Sequence, residues 1–273
     1  MQQPIGVIDS GVGGLTVARE LMRQLPKEKF IYLGDTRRCP YGPRPKEQVK
    51  RYTWQMVHYL LEENIKMLIV ACNTATAYTL QELQQTLAIP VIGVIEPGAR
   101  AAIKSSQNKQ IGVIGTEGTI SSEAYPKTLK AIDHSISVDG LACPSFVPMI
   151  ESGILSGEEA EKIVSTTLKP LKKGNKMDTL ILGCTHYPLI KHLVQAEMGV
   201  DIQVISSGEE TAREASLILA YHGLLQQGNS IPVHEFYTTG DMEKFRNVAN
   251  SWFDAPIQVL ELVELDPIQS SAN

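Results

Sequence analysis

Two cysteines in this chain stand in matching settings, Leu68-Ile69-Val70-Ala71-Cys72-Asn73-Thr74-Ala75 and Leu180-Ile181-Leu182-Gly183-Cys184-Thr185-His186-Tyr187. Each follows a short apolar run that reads as a buried parallel strand. Each precedes small or polar residues at the point where a helix is expected to begin. A thiol at the carboxyl end of a strand sits where open α/β sheets bind ligands. Facing a helix N-terminus, it is also expected to favour the thiolate form. Two thiols on opposite faces of one small molecule suit the removal of a proton on one side and its replacement on the other. At a Cα stereocentre that exchange inverts configuration. A cysteine hydrolase needs one thiol with a histidine base and no twin. A dithiol oxidoreductase needs sulfurs within disulfide reach, which two separate helix starts need not supply.

Other side chains could serve the same centre. His186 lies two residues from Cys184 and could assist it, and Asp9 could assist Cys72 if the first and third strands are neighbours. Asn73-Thr74 and Thr185-His186 fall at capping or first-turn positions. If both helix starts face one cleft, their hydroxyls and amides can hold a small anion. Ser10 and the amides of Gly11 to Gly14 offer a further anion site at a helix start, although tight packing alone could account for Gly13 and Gly14. The same turn does not complete a dinucleotide fingerprint, because Thr16 stands where the third glycine belongs, even though Asp35 resembles a ribose-binding acid. The Walker lysine is absent too. Cys39 and Cys143, each before a proline, read as structural.

The elements that must position these groups read as a repeated α/β plan. Ile5 to Ile8 forms a strand, followed by a helix with Leu15, Ala18, Leu21, Met22 and Leu25 on one face. Phe30 to Leu33 is the second strand and leads into a loop dense in Gly and Pro. Val49, Tyr52, Met56, Leu60 and Leu61 mark a long amphipathic helix. The Cys72 strand, a helix through Leu80, Leu83 and Leu87, and a strand over Val91 to Ile95 close the first half at Glu96-Pro97-Gly98. About a hundred residues on, Ile111 to Gly118 answers Ile5 to Gly13, Cys143 answers Cys39, and Cys184 answers Cys72. The helix from Glu158 to Leu171 takes the place of the Val49 helix. A helix through Ala212 and Leu225, ended by Gly228, leads to a tail with strands at Glu235 to Thr239 and Val259 to Val263. The tail also carries a helix from Phe245 to Trp252 and is expected to pack back on the first half. Ser270 to Asn273 reads as a frayed end.

Composition bounds the class. With 273 residues, 43% hydrophobic and 20% charged, the chain is globular and large enough for one big α/β domain or two ordinary ones. A net charge of −5 without a basic run argues against a nucleic-acid partner. No signal-peptide pattern and no run of 18 apolar residues is present, so no membrane role is expected and the cytoplasm is the expected place. There the four cysteines stay reduced, and none has zinc spacing. A non-catalytic amino-acid sensor on the same scaffold is the rival class; it would need the anion-binding helix starts but not the thiols.

The segments IGVIDSGVGGLTV, YLGDTRRCPYGPR, IVACNTATA, VIGTEGTI and LILGCTHYPLI together resemble the cofactor-independent aspartate/glutamate racemase family, its glutamate racemases above all, over essentially the whole chain. The resemblance implies two similar three-layer α/β domains related by pseudo-two-fold symmetry through internal duplication, with the active site in the interdomain cleft. The domains are expected over 1–97 plus 208–273 and over 98–207. It implies interconversion of L- and D-glutamate by 1,1-proton transfer without pyridoxal phosphate or metal, to supply peptidoglycan synthesis and hence cell-wall biogenesis and cell shape. Cys72 and Cys184 are the implied acid/base pair, with Asp9 and His186 supporting them and Glu151 in a lesser role. Asp9, Ser10, Tyr41, Gly42, Asn73, Thr74, Thr185 and His186 match the family's glutamate-binding positions, and Thr116 and Thr119 are expected to line the cleft. A homodimer is expected. Control by a cell-wall precursor is not, because the chain starts directly at its first strand. Aspartate and hydantoin racemases share the paired cysteines, and pocket depth decides among these substrates.

Overall fold

The structure, a computed structural model, describes residues 3–172, 176–228, 231–253 and 256–265. Its strands fall into two wholly parallel sheets. The first has the order β10-β9-β2-β1-β3-β4, built from β1 (Ile5–Asp9), β2 (Phe30–Gly34), β3 (Met67–Val70), β4 (Val91–Gly93), β9 (Glu235–Thr238) and β10 (Val259–Leu262). The second has the order β6-β5-β7-β8, from β5 (Gln110–Gly115), β6 (Ser137–Ala142), β7 (Thr179–Gly183) and β8 (Gln203–Ser206). The second sheet therefore repeats the strand order of β2-β1-β3-β4. The C-terminal strands extend the first sheet beyond β2, so the tail returns to the first half as expected.

The helices are α1 (Leu15–Gln24), α2 (Lys46–Glu62), α3 (Asn73–Thr86), α4 (Ile95–Ser105), α5 (Glu117–Ser121) and α6 (Ala124–Ile132), then α7 (Phe146–Glu151), α8 (Glu158–Lys172), α9 (Lys191–Met198), α10 (Gly208–Tyr221) and α11 (Met242–Trp252). They clad both faces of each sheet, because strands buried on both sides offer apolar side chains to both. On β1, Ile5 and Val7 join a core with Leu15, Leu21, Ala215 and Phe245, while Ile8 joins Val49, Met56 and Leu83 on the other face. On β5, Ile111 and Val113 face Ala99 and Leu129, while Ile114 faces Phe146, Val164 and Tyr187.

Several elements differ from the expected ones. Glu96-Pro97-Gly98 does not end a strand but lies in the first turn of α4, where a proline's missing N–H is not needed. The edge strand β6 is largely exposed and has no apolar alternation to betray it. The short helices α5, α6 and α7 were equally silent. On α2 the buried stripe runs through Thr53 and Val57, leaving Tyr52 and Leu61 at its margin. Helix α10 stops at Tyr221 because Gly223 takes a left-handed φ of 68°, well before Gly228. After β7 no α-helix follows at once: Pro188 sits in a 3-10 turn over Tyr187–Ile190, and α9 begins only at Lys191. The segment Ser270 to Asn273 lies outside the described residues.

Candidate active site

In both sheets the chain reverses its direction of travel across the sheet at the first strand, so the crevice beyond β1 and β3, and beyond β5 and β7, is where such sheets accept ligands. Cys72 follows β3 by two residues and Cys184 follows β7 directly. Both thiols line one buried cavity, with Ser10, Tyr41, Gly42, Asn73, Thr74, Thr116, Thr185 and His186. Pro40, Val147 and Gly183 complete the wall. Asp9, Glu151 and Thr119 do not reach the cavity; each stands one side chain behind it. The cavity measures about 10 Å³, the room of about one water molecule.

Cys72 is the N-cap of α3, and its Sγ accepts from the Ala75 amide at 3.5 Å. Its thiol donates to Ser10 Oγ at 3.6 Å. Strands β1 and β3 are neighbours, with Ile8 opposite Val70, which brings Asp9 beside this thiol. Asp9 is wholly buried: one oxygen accepts from the Gly11 amide at 2.9 Å, the other from Thr185 Oγ1 at 3.2 Å. The start of α1 thus already holds a carboxylate of its own chain. Gly13 and Gly14 are there for room, since a Cβ on Gly13 would strike His186 and one on Gly14 would strike Asp9 and Tyr32.

The first turn of α3 supplies polar groups to the same cavity. Asn73 Oδ1 accepts from Tyr125 OH at 2.8 Å, and its buried Nδ2 has no protein acceptor among the described residues. A buried amide with one hand held and one free is a donor oriented for an acceptor in the cavity. Thr74 Oγ1 lies 2.8 Å from Thr116 Oγ1 and 3.1 Å from Thr119 Oγ1, and the Gly118 amide donates to Gly42 O at 2.8 Å. These bonds join the crevice sides of the two sheets. Tyr41 turns its hydroxyl away, donating to the Asp35 carboxylate, so it meets the cavity with other atoms.

At the other thiol, His186 Nδ1 is 3.9 Å from Cys184 Sγ, while Nε2 is 2.8 Å from Glu151 Oε1. Glu151 Oε2 accepts from Lys244 Nζ at 2.9 Å. Cys39 Sγ comes within 4.8 Å of the same His186 and Glu151 ligand atoms, a spacing that could hold a cation. The Lys244 ammonium beside Glu151 works against a metal there, and the set reads as a chain of ion pairs.

The electrostatics of the two thiols differ. Burial, reinforced by the Asp9 carboxylate, pushes Cys72 up to about 12, and the Ala75 amide and Ser10 hydroxyl only temper it. The thiolate expected from a helix start is therefore outweighed by desolvation at this residue. Burial likewise raises Asp9, against the charge of His186 and the donors around it. Burial alone would pull His186 down, but hydrogen bonds to Cys184 and Glu151, with the charges of Cys184 and Asp9, hold it at about 10. Burial would raise Glu151, yet His186 and Lys244 bring it to about 2. An imidazolium thus stands beside Cys184 and, among the described residues, none beside Cys72.

Sequence reasoning did not single out Tyr125, Val147 or Lys244. Tyr125 and Lys244 act through other side chains, and although Lys244 adjoins the helix read from Phe245 to Trp252, nothing local in sequence ties either residue to the site.

The family described as Asp/Glu/Hydantoin racemase matches residues 5–215. A glutamate racemase of Oceanobacillus iheyensis is 63% identical over 253 residues, covering 93% of this chain and 92% of its own length. One from Exiguobacterium sibiricum is 52% identical, with 96% and 97% covered. The crystal structure of a glutamate racemase isoform from Bacillus anthracis superposes with a TM-score of 0.94 at 48% identity, covering 98% of this chain and 99% of the other. That of a Francisella tularensis glutamate racemase in complex with D-glutamate gives 0.90 at 36%, with 97% and 98% covered.

Proposed function

The chain belongs to the Asp/Glu/Hydantoin racemase family, and from that premise we propose that it is a glutamate racemase working by two-thiol proton transfer. The observation that carries this reading is that Cys72 and Cys184, from corresponding strand ends of two like sheets, line the same buried cavity. Relatives at 63% and 52% identity that are glutamate racemases support the choice of glutamate over aspartate or a hydantoin, as does the Francisella tularensis homologue that holds D-glutamate.

In this reading one thiolate removes the Cα proton and the opposite thiol donates from the other face. Cys72, kept protonated by burial and Asp9, is the acid while Cys184 beside the His186 imidazolium is the base; the reverse direction exchanges the roles. The Cα carbanion is the costly species. Asn73 Nδ2 and the hydroxyls of Ser10, Thr74 and Thr116 are the donors available to the substrate's carboxylates, while Thr185 Oγ1, whose proton goes to Asp9, can accept from the substrate's ammonium, with Tyr41 and Gly42 forming the adjacent wall. One well-placed donor contributes about 3 kcal/mol in comparable oxyanion sites. Thr119 supports Thr74 from behind, and Glu151 supports His186. The cavity is far smaller than an amino acid, so substrate entry requires the two sides to part and then close, excluding water.

The same reading divides the chain into domains over 1–97 plus 208–273 and over 98–207. It makes the protein a cytoplasmic homodimer, needing no cofactor, that supplies D-glutamate for peptidoglycan synthesis and so for cell-wall biogenesis and cell shape. Four free thiols accord with a reducing compartment, and no helix among the described residues is long and apolar enough to cross a membrane. The test is racemisation of L-glutamate by purified protein without added cofactor, beside Cys72→Ala and Cys184→Ala. Either variant racemising at the wild-type rate would end the two-thiol reading. Iodoacetamide inactivation with protection by glutamate separates it from a sensor, which should keep binding ligand after alkylation.

A further inference from the structure

We propose that Lys244 is a positioning residue for this reaction: from α11 it fixes the Glu151 carboxylate that holds His186 at Cys184. The inference rests on the racemase reading and adds to it a residue from the C-terminal segment. Asp241 caps α11, accepting from the Lys244 amide at 3.0 Å, and so sets where the lysine side chain departs. Its Nζ then reaches Glu151 Oε2 at 2.9 Å; the other oxygen holds His186 Nε2 at 2.8 Å, and His186 Nδ1 faces Cys184 Sγ at 3.9 Å. A chain of three hydrogen-bonded groups, Lys244, Glu151 and His186, thus runs from solvent to the face of one sulfur. It also ties α11, on the sheet of β1, to α7, on the sheet of β5.

An isolated exposed lysine–carboxylate pair contributes little. Here the carboxylate is 22% exposed and its partner histidine 2%, so its orientation depends on the bonds at both of its oxygens. Without Lys244, Glu151 has one anchor left and His186 loses the fixed acceptor that sets its ring. Among the described residues nothing equivalent serves Cys72, whose hydrogen-bond partners are a neutral hydroxyl and a backbone amide. Lys244 therefore acts directly on the Cys184 side, and Cys72 feels it only through the charge of His186 on Asp9.

That asymmetry has a kinetic signature. Enantiomers are equal in free energy, so kcat/KM must be the same in both directions for every variant. Weakening the support of the Cys184 thiolate raises the Michaelis complex that contains it but not the one in which Cys184 carries a proton. The direction that starts from the raised complex then keeps more of its kcat than the other, with a compensating rise in its KM. Loss of folded protein would instead lower both kcat values by one factor and leave KM alone.

The experiment compares wild type, Lys244→Met, which keeps the stem without the charge, and Lys244→Arg. Kinetics are measured from L- and from D-glutamate, and the alkylation rates of Cys72 and Cys184 by iodoacetamide are followed by peptide mass spectrometry. For Lys244→Met the expected result is a fall of about ten-fold in kcat/KM and a change of about three-fold or more in the ratio of the two kcat values. Alkylation at Cys184 should slow by about three-fold or more and clearly more than at Cys72, and Lys244→Arg should recover most of each effect. An unchanged kcat ratio, equal changes at both thiols, or an arginine variant no better than methionine would overturn the proposal. A wild-type protein that does not racemise glutamate defeats the racemase reading instead, and the alkylation comparison still decides whether Lys244 governs Cys184.

Discussion

Replacing Gly13 with alanine places a methyl group against the histidine of the site. A Cβ there would lie 2.4 Å from His186 Nδ1, 2.7 Å from its Cε1 and 2.7 Å from Thr185 Oγ1. Relaxed carbon contacts need about 3.5 Å, so the ring must retreat by about 1 Å. It is buried and held at Nε2 by Glu151 at 2.8 Å, and it cannot retreat without straining that bond. Overpacking costs about 1–3 kcal/mol, and weakening a charged hydrogen bond adds up to about 1.5–3 kcal/mol. Against this stands a gain of about 0.4–1 kcal/mol from stiffening the unfolded chain, since Gly13 is not in a left-handed conformation. Destabilisation by about 2–4 kcal/mol follows, together with a fall of about 100-fold in kcat/KM, because a misplacement of this size at the reacting groups carries that penalty. Urea melts and racemisation rates check both. Gly208→Ala is the control: its Cβ would meet nothing closer than 3.4 Å, so stability should hold or rise. Gly13→Ala within two-fold of wild type in activity and equal in stability would refute the packing argument.

Other outcomes follow from the same contacts. Glu151→Gln should lower stability by on the order of 2 kcal/mol near pH 5–6. His186 is raised to about 10, so its share is full below pH 6.5 and is lost as pH rises toward 10; Glu151 is lowered to about 2, so its share is full above pH 4.5 and is lost as pH falls toward 2. A gap between wild type and variant that widens above pH 8 in urea melts would contradict this assignment. Lys66→Met should lower stability by about 3–5 kcal/mol, because Lys66 pairs with buried Glu28 at 2.6 Å and the two also hold Leu224 O and the Gln226 amide. Thermal melts check it, and Lys66→Met with Glu28→Leu should recover part of the loss. Thr74→Val should raise KM for glutamate about ten-fold with a smaller change in kcat, since Thr116 and Thr119 keep their mutual bond at 3.1 Å. A variant with unchanged KM would remove Thr74 from the substrate's contacts.

Much of the fold was legible because its signals are local. Buried strands such as Ile5 to Ile8 and Leu180 to Leu182 are unbroken apolar runs, and the doubled plan shows in the spacing of Cys72 and Cys184. What escaped depends on partners distant in sequence. β6 is strand because β5 offers it a free edge, and α4 survives Pro97 because that residue falls in the first turn. The site divides in the same way. The residues beside each thiol in sequence line the cavity, whereas Tyr125 holding Asn73 and Lys244 holding Glu151 arrive by tertiary packing alone. The protonation of Cys72 also follows from burial, which a helix-start pattern in sequence does not report.

The most direct test of two sulfurs flanking one carbon is the fate of the Cα hydrogen when L-glutamate is converted in D2O and stopped early. Two opposed thiols predict that D-glutamate carries one deuterium at Cα while the remaining L-glutamate carries none. Deuterium entering the unconverted L-glutamate as fast as the product, or protium retained in D-glutamate, would contradict the account.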